Sequence, residues 1–545
     1  MATYTTAHQV RHAWVMKQEI ALLDVREEGP YAESHPLFAV SVPVSEIESK
    51  LPALVPRLAV PIVVYDSGEG YDIRAVSRIS AMGYENVAIL DGGLSAYALV
   101  GEVYRDVGVP SKAFGELVES INHTPSISAT DLRESLRNDD DIVVLDARRF
   151  EEFNTMSIPG GRSCPGGELL YRFFETVPST KTTVVVNCAG RTRSIIGTQS
   201  LINAKVPNKV LALRNGTIGW TLEGFELDNK KTDQAPRPAP EALAKAAQLA
   251  KRWFSRHKIP HLDGASIDDL AVYGQDRTLY LLDVRDPEEY ALGHPAGFTN
   301  APGGQLVQAT DEWIGVRGAR IILYDTDSVR GSMAASWLHQ LGWEVLVLSD
   351  LPSTDPTELG VPKSSSFGCV ETRGISVAAL QNLQGATVVD LARSPSYRKG
   401  HIPGAWYASG PELRRDLKTI KEVGPIILTS PDGIVAAMNC KEAREWLPLG
   451  EQFMYLEGGT DAWVAADLPL EIESRWLSEP IDVYKRPYEG TGNARENMQG
   501  YLDWEYGLVA QLANDGVANF RVVRDSRADD DCEHFTESTL VDSSA

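Results

Sequence analysis

Short apolar runs bounded by turn residues recur along the chain, and they fall into sets of three. The first of each set ends on aspartate: Ala21 to Asp24, Val143 to Asp146, Tyr280 to Asp283 and Val388 to Asp390. The second is Ile62 to Tyr65, Val184 to Asn187, Ile321 to Tyr324 and Ile426 to Thr429, and the third Val87 to Leu90, Val210 to Leu213, Val345 to Leu348 and Phe453 to Leu456. Runs this short and this continuously apolar predict strands buried on both faces, as in a parallel sheet. Between the second and third runs the apolar residues take helical spacing, clearest at Met333, Ala334, Trp337, Leu338 and Leu341. Strands alternating with helices predict an α/β fold, a small parallel sheet covered by helices on both faces.

The sets are copies of one another. The residues just after the second strands are Asp66, Cys188, Asp325 and Ser430, lying 42, 42, 42 and 40 residues beyond the first-strand aspartates. Three copies then turn on glycine, at Gly92-Gly93, Asn215-Gly216 and Gly458-Gly459, while the third has Ser349-Asp350 and is cut short. The boundaries expected from this pattern are modules at 5–107, 124–228, 260–351 and 370–473. A polar linker and an alanine- and lysine-rich helix, Glu241 to Phe254, fill 229–259. Residues 474–545 form a C-terminal extension, with a helix expected from Glu496 to Leu512 and an acidic, disordered tail from Arg527. A chain of 545 residues accommodates this number of domains at roughly 100–200 residues each.

Composition narrows the function. A net charge of −23 disfavours nucleic acid and anionic lipid as partners, because phosphate would be repelled. No apolar run approaches the roughly 20 residues needed to cross a bilayer, and the N-terminus lacks a signal-peptide pattern, so a cytoplasmic protein without a membrane partner is expected. The five cysteines, Cys164, Cys188, Cys369, Cys440 and Cys532, are widely spaced and form no Cys-x-x-Cys pair. Free thiols are expected rather than a disulfide framework or a zinc ribbon.

One loop concentrates the chemistry. Cys188, Ala189, Gly190, Arg191, Thr192 and Arg193 join the end of a buried strand to the start of a helix. The carboxyl edge of a parallel sheet is where α/β proteins bind ligands, and the free N–H groups of a helix start favour anions. With two arginines added, the loop is expected to lower the Cys188 pKa and hold a thiolate nucleophile. Gly190 is expected to let the backbone turn without a Cβ clash. Arg148, at the same sheet edge, either orients substrate or pairs with Asp146.

These residues resemble the rhodanese superfamily of sulfurtransferases. The matching elements are Asp146 to Arg148, Ser157 to Gly160, the Cys188 loop, and Leu213 to Gly216 leading to Trp220. Gly293 to Gly297 and Gly400 to Ala405 echo the same family in copies three and four. The arrangement is similar to four-module rhodaneses that act as thiosulfate sulfurtransferases. The resemblance implies that Cys188 takes the outer sulfur of a small anionic donor such as thiosulfate, becomes a persulfide, and passes the sulfur to cyanide or a thiol. A sulfur-accepting protein is a further partner under this reading. Ala189, Gly190, Arg191, Thr192, Arg193 and Arg148 would bind substrate, and neither a metal nor an organic cofactor is implied. Two alternatives use the same loop: a phosphatase or arsenate reductase, and a non-catalytic sulfur carrier or scaffold. In related phosphatases five residues separate cysteine and arginine, against four between Cys188 and Arg193.

The other three modules lack the nucleophile and are expected to be inactive scaffolds that shape the Cys188 entrance or bind a partner. Among the remaining cysteines, Cys164 lies in a turn-like segment of the active module, Cys440 reads as helix packing, and Cys532 either accepts sulfur by exchange or is a bystander.

Overall fold

A computed structural model describes residues 3–262, 264–352, 354–360, 372–420, 424–446, 453–486, 495–524 and 532–534. Contacts divide the chain into two compact units. One holds the first and fourth modules, and the other the second and third together with most of the C-terminal extension.

The module containing Cys188 is preceded by helix α1 (Val109–Asn122). It then runs β1 (Ser126–Ile127), β2 (Ile142–Asp146), β3 (Arg162–Ser163), β4 (Thr183–Asn187), α2 (Thr192–Ala204), β5 (Val210–Leu213) and α3 (Gly216–Leu222). Its five strands are parallel in the order β3-β2-β4-β5-β1. Alternate residues of the sheet feed two cores. Leu145, Val184 and Val186 face Leu169, Phe173 and Leu201, whereas Val144, Val185 and Leu211 face Leu132 and Trp220. Both faces are thus covered, which explains strands without polar alternation. The other three modules repeat this order around their own parallel sheets, and the fourth adds Arg475–Trp476 as a sixth strand beside Trp406–Tyr407.

The constant spacing has a structural origin in register. Asp146 pairs with Asn187, Asp24 with Tyr65, Asp283 with Tyr324 and Asp390 with Thr429. Each first-strand aspartate therefore stands beside the residue preceding the loop. In three modules it holds an arginine two positions on. Arg148 donates from Nε and Nη2 to Asp146 (2.8 and 2.7 Å) and from Nη2 to the Met156 carbonyl (2.6 Å). Arg26 and Arg285 make the same bonds to Asp24 and Asp283, with the Ser34 and Gly293 carbonyls as third acceptors. The fourth module has Ala392 at that position, and Asp390 accepts only its amide (2.8 Å).

The segment read as a linker is mostly exposed but runs along the sheet edge and buries Ala235 in the core. Ser163 and Ala235 pair as Asp233–Gln234 run along the sheet edge. The helix Pro240–Phe254 buries Ala246, Ala250 and Trp253 in the same cluster as Leu169 and Met333, joining the second and third modules. Trp253 Nε1 donates to Ser336 Oγ (3.1 Å). The C-terminal helix α4 spans Arg495–Asp515, slightly longer than expected. Most of the acidic tail lies outside the described residues, but Cys532–His534 pairs antiparallel with Arg521–Val523. No helix among the described residues is long and apolar enough to cross a membrane.

Asp390 yields a pH prediction. Burial pushes its carboxyl up to about 6, against the amide of Ala392 and the charge of His401. A carboxyl raised in the fold stabilises the folded state at low pH, and that contribution disappears as pH climbs through about 6. Asp390→Asn should leave stability at pH 4 nearly unchanged and raise it at pH 8 by up to about 3 kcal/mol, read as a higher urea midpoint for the unit holding module four. An equal effect at both pH values would refute the assignment.

Candidate active site

Cys188 follows β4 directly, and α2 begins four residues later, with Arg191 as its N-cap. The first amides of a helix have no partner within it, and in three modules one is turned on the side chain at the strand end. Asp72 N donates to Asp66 (3.3 Å), Gly331 N to Asp325 (3.0 Å) and Ala436 N to Ser430 Oγ (3.2 Å). In the second module Cys188 meets the residue at the same offset, Ser194, through its hydroxyl. In module one Asp66 also accepts from Gly68 N (2.9 Å) and Tyr71 N (2.7 Å). The three loops without cysteine therefore place their own carboxylate or hydroxyl in the cradle.

The floor of the loop is fixed by α3. Thr217 N donates to the Cys188 carbonyl (2.9 Å) and Ile218 N to the Ala189 carbonyl (3.0 Å). Gly216 makes this approach possible: its φ is +54°, and a Cβ there would stand 2.2 Å from the Cys188 carbonyl oxygen. Gly93 and Gly459 meet the carbonyls of Asp66 and Ser430 in the same way. Gly216 was missed as a site residue, although the recurring glycine after the third strand was its signal.

The Cys188 side chain is 1% exposed. Its thiol donates to Ser194 Oγ (3.4 Å), whose own proton goes to the Arg191 carbonyl (2.8 Å). Burial pushes the Cys188 pKa up, while Arg193 and the hydroxyl and amide of Ser194 pull it down and Glu505 adds to the rise. The net direction is upward. This corrects the expectation of a lowered pKa: the covered site costs the thiolate more hydration than its neighbours return.

The arginines also differ from expectation. Arg191 is 4% exposed and directed away from the cradle. It donates to both carboxylate oxygens of Glu116 (2.8 Å each) and to Glu119 on α1, and to Tyr506 Oη (2.9 Å) and Asn215 (3.3 Å). Its guanidinium lies 4.0 Å from the Tyr506 ring centroid. Arg191 thus ties the loop to α1 and α4 rather than offering its charge to an anion. Arg193 is paired with Glu152 (2.6 and 2.9 Å) and is the cation that acts on Cys188. Burial would raise the Glu152 carboxyl, but Arg193 and Arg148 hold it at about 2. Arg148, 2% exposed, is the clamp on Asp146, and two modules without cysteine contain the same clamp. Its role is structural, the second of the two readings open in the sequence.

Gly190 is not in the left-handed region, so backbone turning is not its reason. A Cβ on Gly190 would lie 3.0 Å from Glu505 Oε2 and 3.4 Å from the Tyr501 ring, so glycine leaves room for α4. Cys164 and Cys440 are buried thiols pushed by burial to about 12. Cys369 and the side chain of Cys532 lie outside the described residues.

Comparison with known proteins agrees with this architecture. The rhodanese-like domain model matches four times, at residues 7–99, 128–223, 268–350 and 376–466. The chain belongs to the rhodanese family. It is 48% identical to a thiosulfate sulfurtransferase from Pseudomonas aeruginosa, with 96% of this chain and 100% of that chain covered at a TM-score of 0.92. A rhodanese-related protein from Thermoplasma volcanium is 24% identical, over 18% of this chain and 99% of its own, at a TM-score of 0.17. A protein from Anabaena is also 24% identical, over 20% of this chain and 86% of its own, at a TM-score of 0.18. The comparison with curated proteins gave no match.

The unequal roles of the two arginines can be measured. Removing Arg193 takes away charge that favours the thiolate, so the Cys188 pKa rises. In Arg193→Ala the pH midpoint of Cys188 alkylation should move upward by roughly one unit, equivalent to about 1.4 kcal/mol. Arg191→Ala should move it far less, since its guanidinium is held by Glu116, Glu119 and Tyr506, while Arg193, although paired with Glu152, is the cation that acts on Cys188. Equal shifts in both variants would contradict the geometry.

Proposed function

We propose that this protein is a sulfurtransferase in which Cys188 carries the sulfur as a persulfide. The observation that supports this most is the contrast among the four cradles. Asp66, Asp325 and Ser430 fill theirs with oxygen, and only the second offers a thiol, which can extend by one atom. The full-length likeness to a thiosulfate sulfurtransferase supports the same reading.

In the first step the Cys188 thiolate attacks the outer sulfur of a donor such as thiosulfate. The donor's S–S bond breaks and its electron pair leaves on sulfite. The new outer sulfur bears negative charge, which backbone amides at a helix start stabilise. In the second step a thiophilic acceptor, cyanide or a thiol, bonds to the outer sulfur and Cys188 leaves as thiolate. Ser194 and Arg193 favour that leaving group through hydrogen bonding and charge. Burial raises the Cys188 pKa, and Arg193 and Ser194 offset part of the cost of forming the attacking thiolate. The four-residue spacing between Cys188 and Arg193 makes a smaller loop than that of the related phosphatases, and it suits a sulfur atom better than a tetrahedral phosphate.

Mass spectrometry after incubation with thiosulfate tests the proposal. The wild-type protein should gain one sulfur atom on Cys188 and release thiocyanate when cyanide is added, with no phosphate released from aryl phosphates. Cys188→Ser should abolish both sulfur uptake and thiocyanate release while leaving the fold intact. Comparable turnover in that variant would remove Cys188 from the reaction.

The silent modules give a second test. Restoring cysteine at Asp66, Asp325 or Ser430 in a Cys188→Ser background should give no persulfide. Glu69 and Asp72 flank the first position and Asp327 the third, while the fourth loop has no cation between Ser430 and Val435. Nearby carboxylates raise a thiol's pKa. A variant that loads sulfur as readily as the parent would show that loop charge does not decide activity.

A further inference from the structure

Helix α4 comes from beyond the last module, yet one of its faces is built into the Cys188 site. Tyr501 and Leu502 pack on Ile218 of α3, one turn from the Gly216 approach to the loop. Tyr506 Oη accepts from Arg191 (2.9 Å) and donates to Asn215 Oδ1 (3.2 Å). Between them, Glu505 is carried to Gly190, two residues from Cys188. Its side chain is 1% exposed, and the Tyr501 hydroxyl donates to Oε1 (3.3 Å).

A carboxylate is an unexpected neighbour for a loop that takes sulfur from anions. It repels thiosulfate and sulfite alike, so it does not serve the donor half of the cycle. The loop itself sets the Arg193 charge and the Ser194 hydroxyl beside the sulfur, and Ser194 gives its own proton to the Arg191 carbonyl. Neither group is a base that can remove a proton from a thiol. Cys188 must lose one before it attacks the donor, a step that Glu505 disfavours; the other reactant that must lose one is an acceptor thiol, whose ordinary pKa of about 8.5 leaves it mostly protonated at neutral pH.

We propose that Glu505 is the general base for the acceptor half-reaction, which makes a thiol the acceptor class this site is built for. The proposal rests on the Cys188 persulfide reading. The thiol proton passes to the Glu505 carboxylate, and the thiol sulfur bonds to the outer sulfur of the persulfide. The S–S bond to Cys188 breaks with its electron pair staying on Cys188 Sγ, and the product leaves as a new persulfide anion. A sulfur atom passes between two sulfurs, with no outside oxidant or reductant. A negative persulfide beside Glu505 raises the basicity of the carboxylate when the proton must move. General-base assistance of this kind is worth roughly 10²–10⁴ in rate.

The test separates the two half-reactions in Glu505→Gln. Persulfide is first loaded from thiosulfate and quantified by mass. It is then discharged at pH 8 with glutathione, whose thiol is mostly protonated, or with sulfite, which at that pH is mostly the proton-free dianion. Glu505→Gln should load at least as fast as wild type, discharge to sulfite unchanged or faster, and discharge to glutathione at least tenfold slower. The deficit should shrink as pH rises and glutathione ionises in solution. Glutathione discharge at the wild-type rate, or equal slowing with both acceptors, would overturn the inference and leave Glu505 a packing residue. A wild-type protein that loads no sulfur at all would instead overturn the Cys188 reading beneath it. Should Glu505→Gln fail to fold, Glu505→Asp, which withdraws the carboxylate by one methylene, is expected to slow glutathione discharge selectively. Unchanged selectivity there counts against the base in the same way.

Discussion

The structure turns on one hydrogen bond, the amide of a helix's first turn donated back to the side chain that ends a buried strand. In three modules that side chain sits six residues before its donor: Asp66 and Asp72, Asp325 and Gly331, Ser430 and Ala436. In the second, Cys188 meets Ser194 at the same offset and donates its thiol to the Ser194 hydroxyl oxygen. The bond follows from strand-to-helix geometry, because the helix start has amides to satisfy and the strand end points at them. What occupies the acceptor position then decides the chemistry. A carboxylate satisfies the amides with a full charge of its own and leaves little potential for a second anion. A thiol satisfies them weakly and can lengthen by a sulfur atom, so the cradle retains capacity for the charge that the proposed persulfide would bring.

Much of this was legible because it is local. Strands, helices and repeat spacing follow from periodicity. The 42-residue interval in three modules reflects a register in which Asp146 stands beside Asn187, and its counterparts beside Tyr65 and Tyr324. Cys188 stood out for the same reason, as the one thiol at a strand-to-helix junction among the described residues. Side-chain partners were not. Arg191 and Arg193 are two residues apart and equally cationic, yet one is neutralised by Glu116 and Glu119 from another helix and the other faces Cys188. Counting charges along a loop cannot distinguish them, because the distinguishing carboxylates are more than 70 residues away.

Long-range packing accounts for the remaining differences. The alanine-rich helix Pro240–Phe254 resembled a connector because its apolar residues are small, but Ala246 and Ala250 allow the close approach that lets Trp253 reach the core. Module pairing, first with fourth and second with third, has no local signal, since it depends on complementary surfaces rather than periodicity. Gly190 shows how a correct identity can have a different cause. Its small size serves a helix whose sequence begins some 300 residues later, not the turn it occupies.

The cover over Cys188 sets two electrostatic effects against each other. Removing water raises the cost of a thiolate, which is the upward push on its pKa. The same removal strengthens every remaining charge interaction, because the local dielectric falls. A site of this kind is poor at ionising an unused thiol and good at discriminating among charges once the thiol reacts. Donors converge on the sulfur from α2, and a carboxylate approaches from α4, so positive and negative influences meet the reacting atoms from different elements of the fold. Under the persulfide reading, this division assigns α2 to the charge that forms on sulfur and α4 to the proton that must leave. The C-terminal extension is then part of the reaction centre, although it contributes no strand to the module it covers.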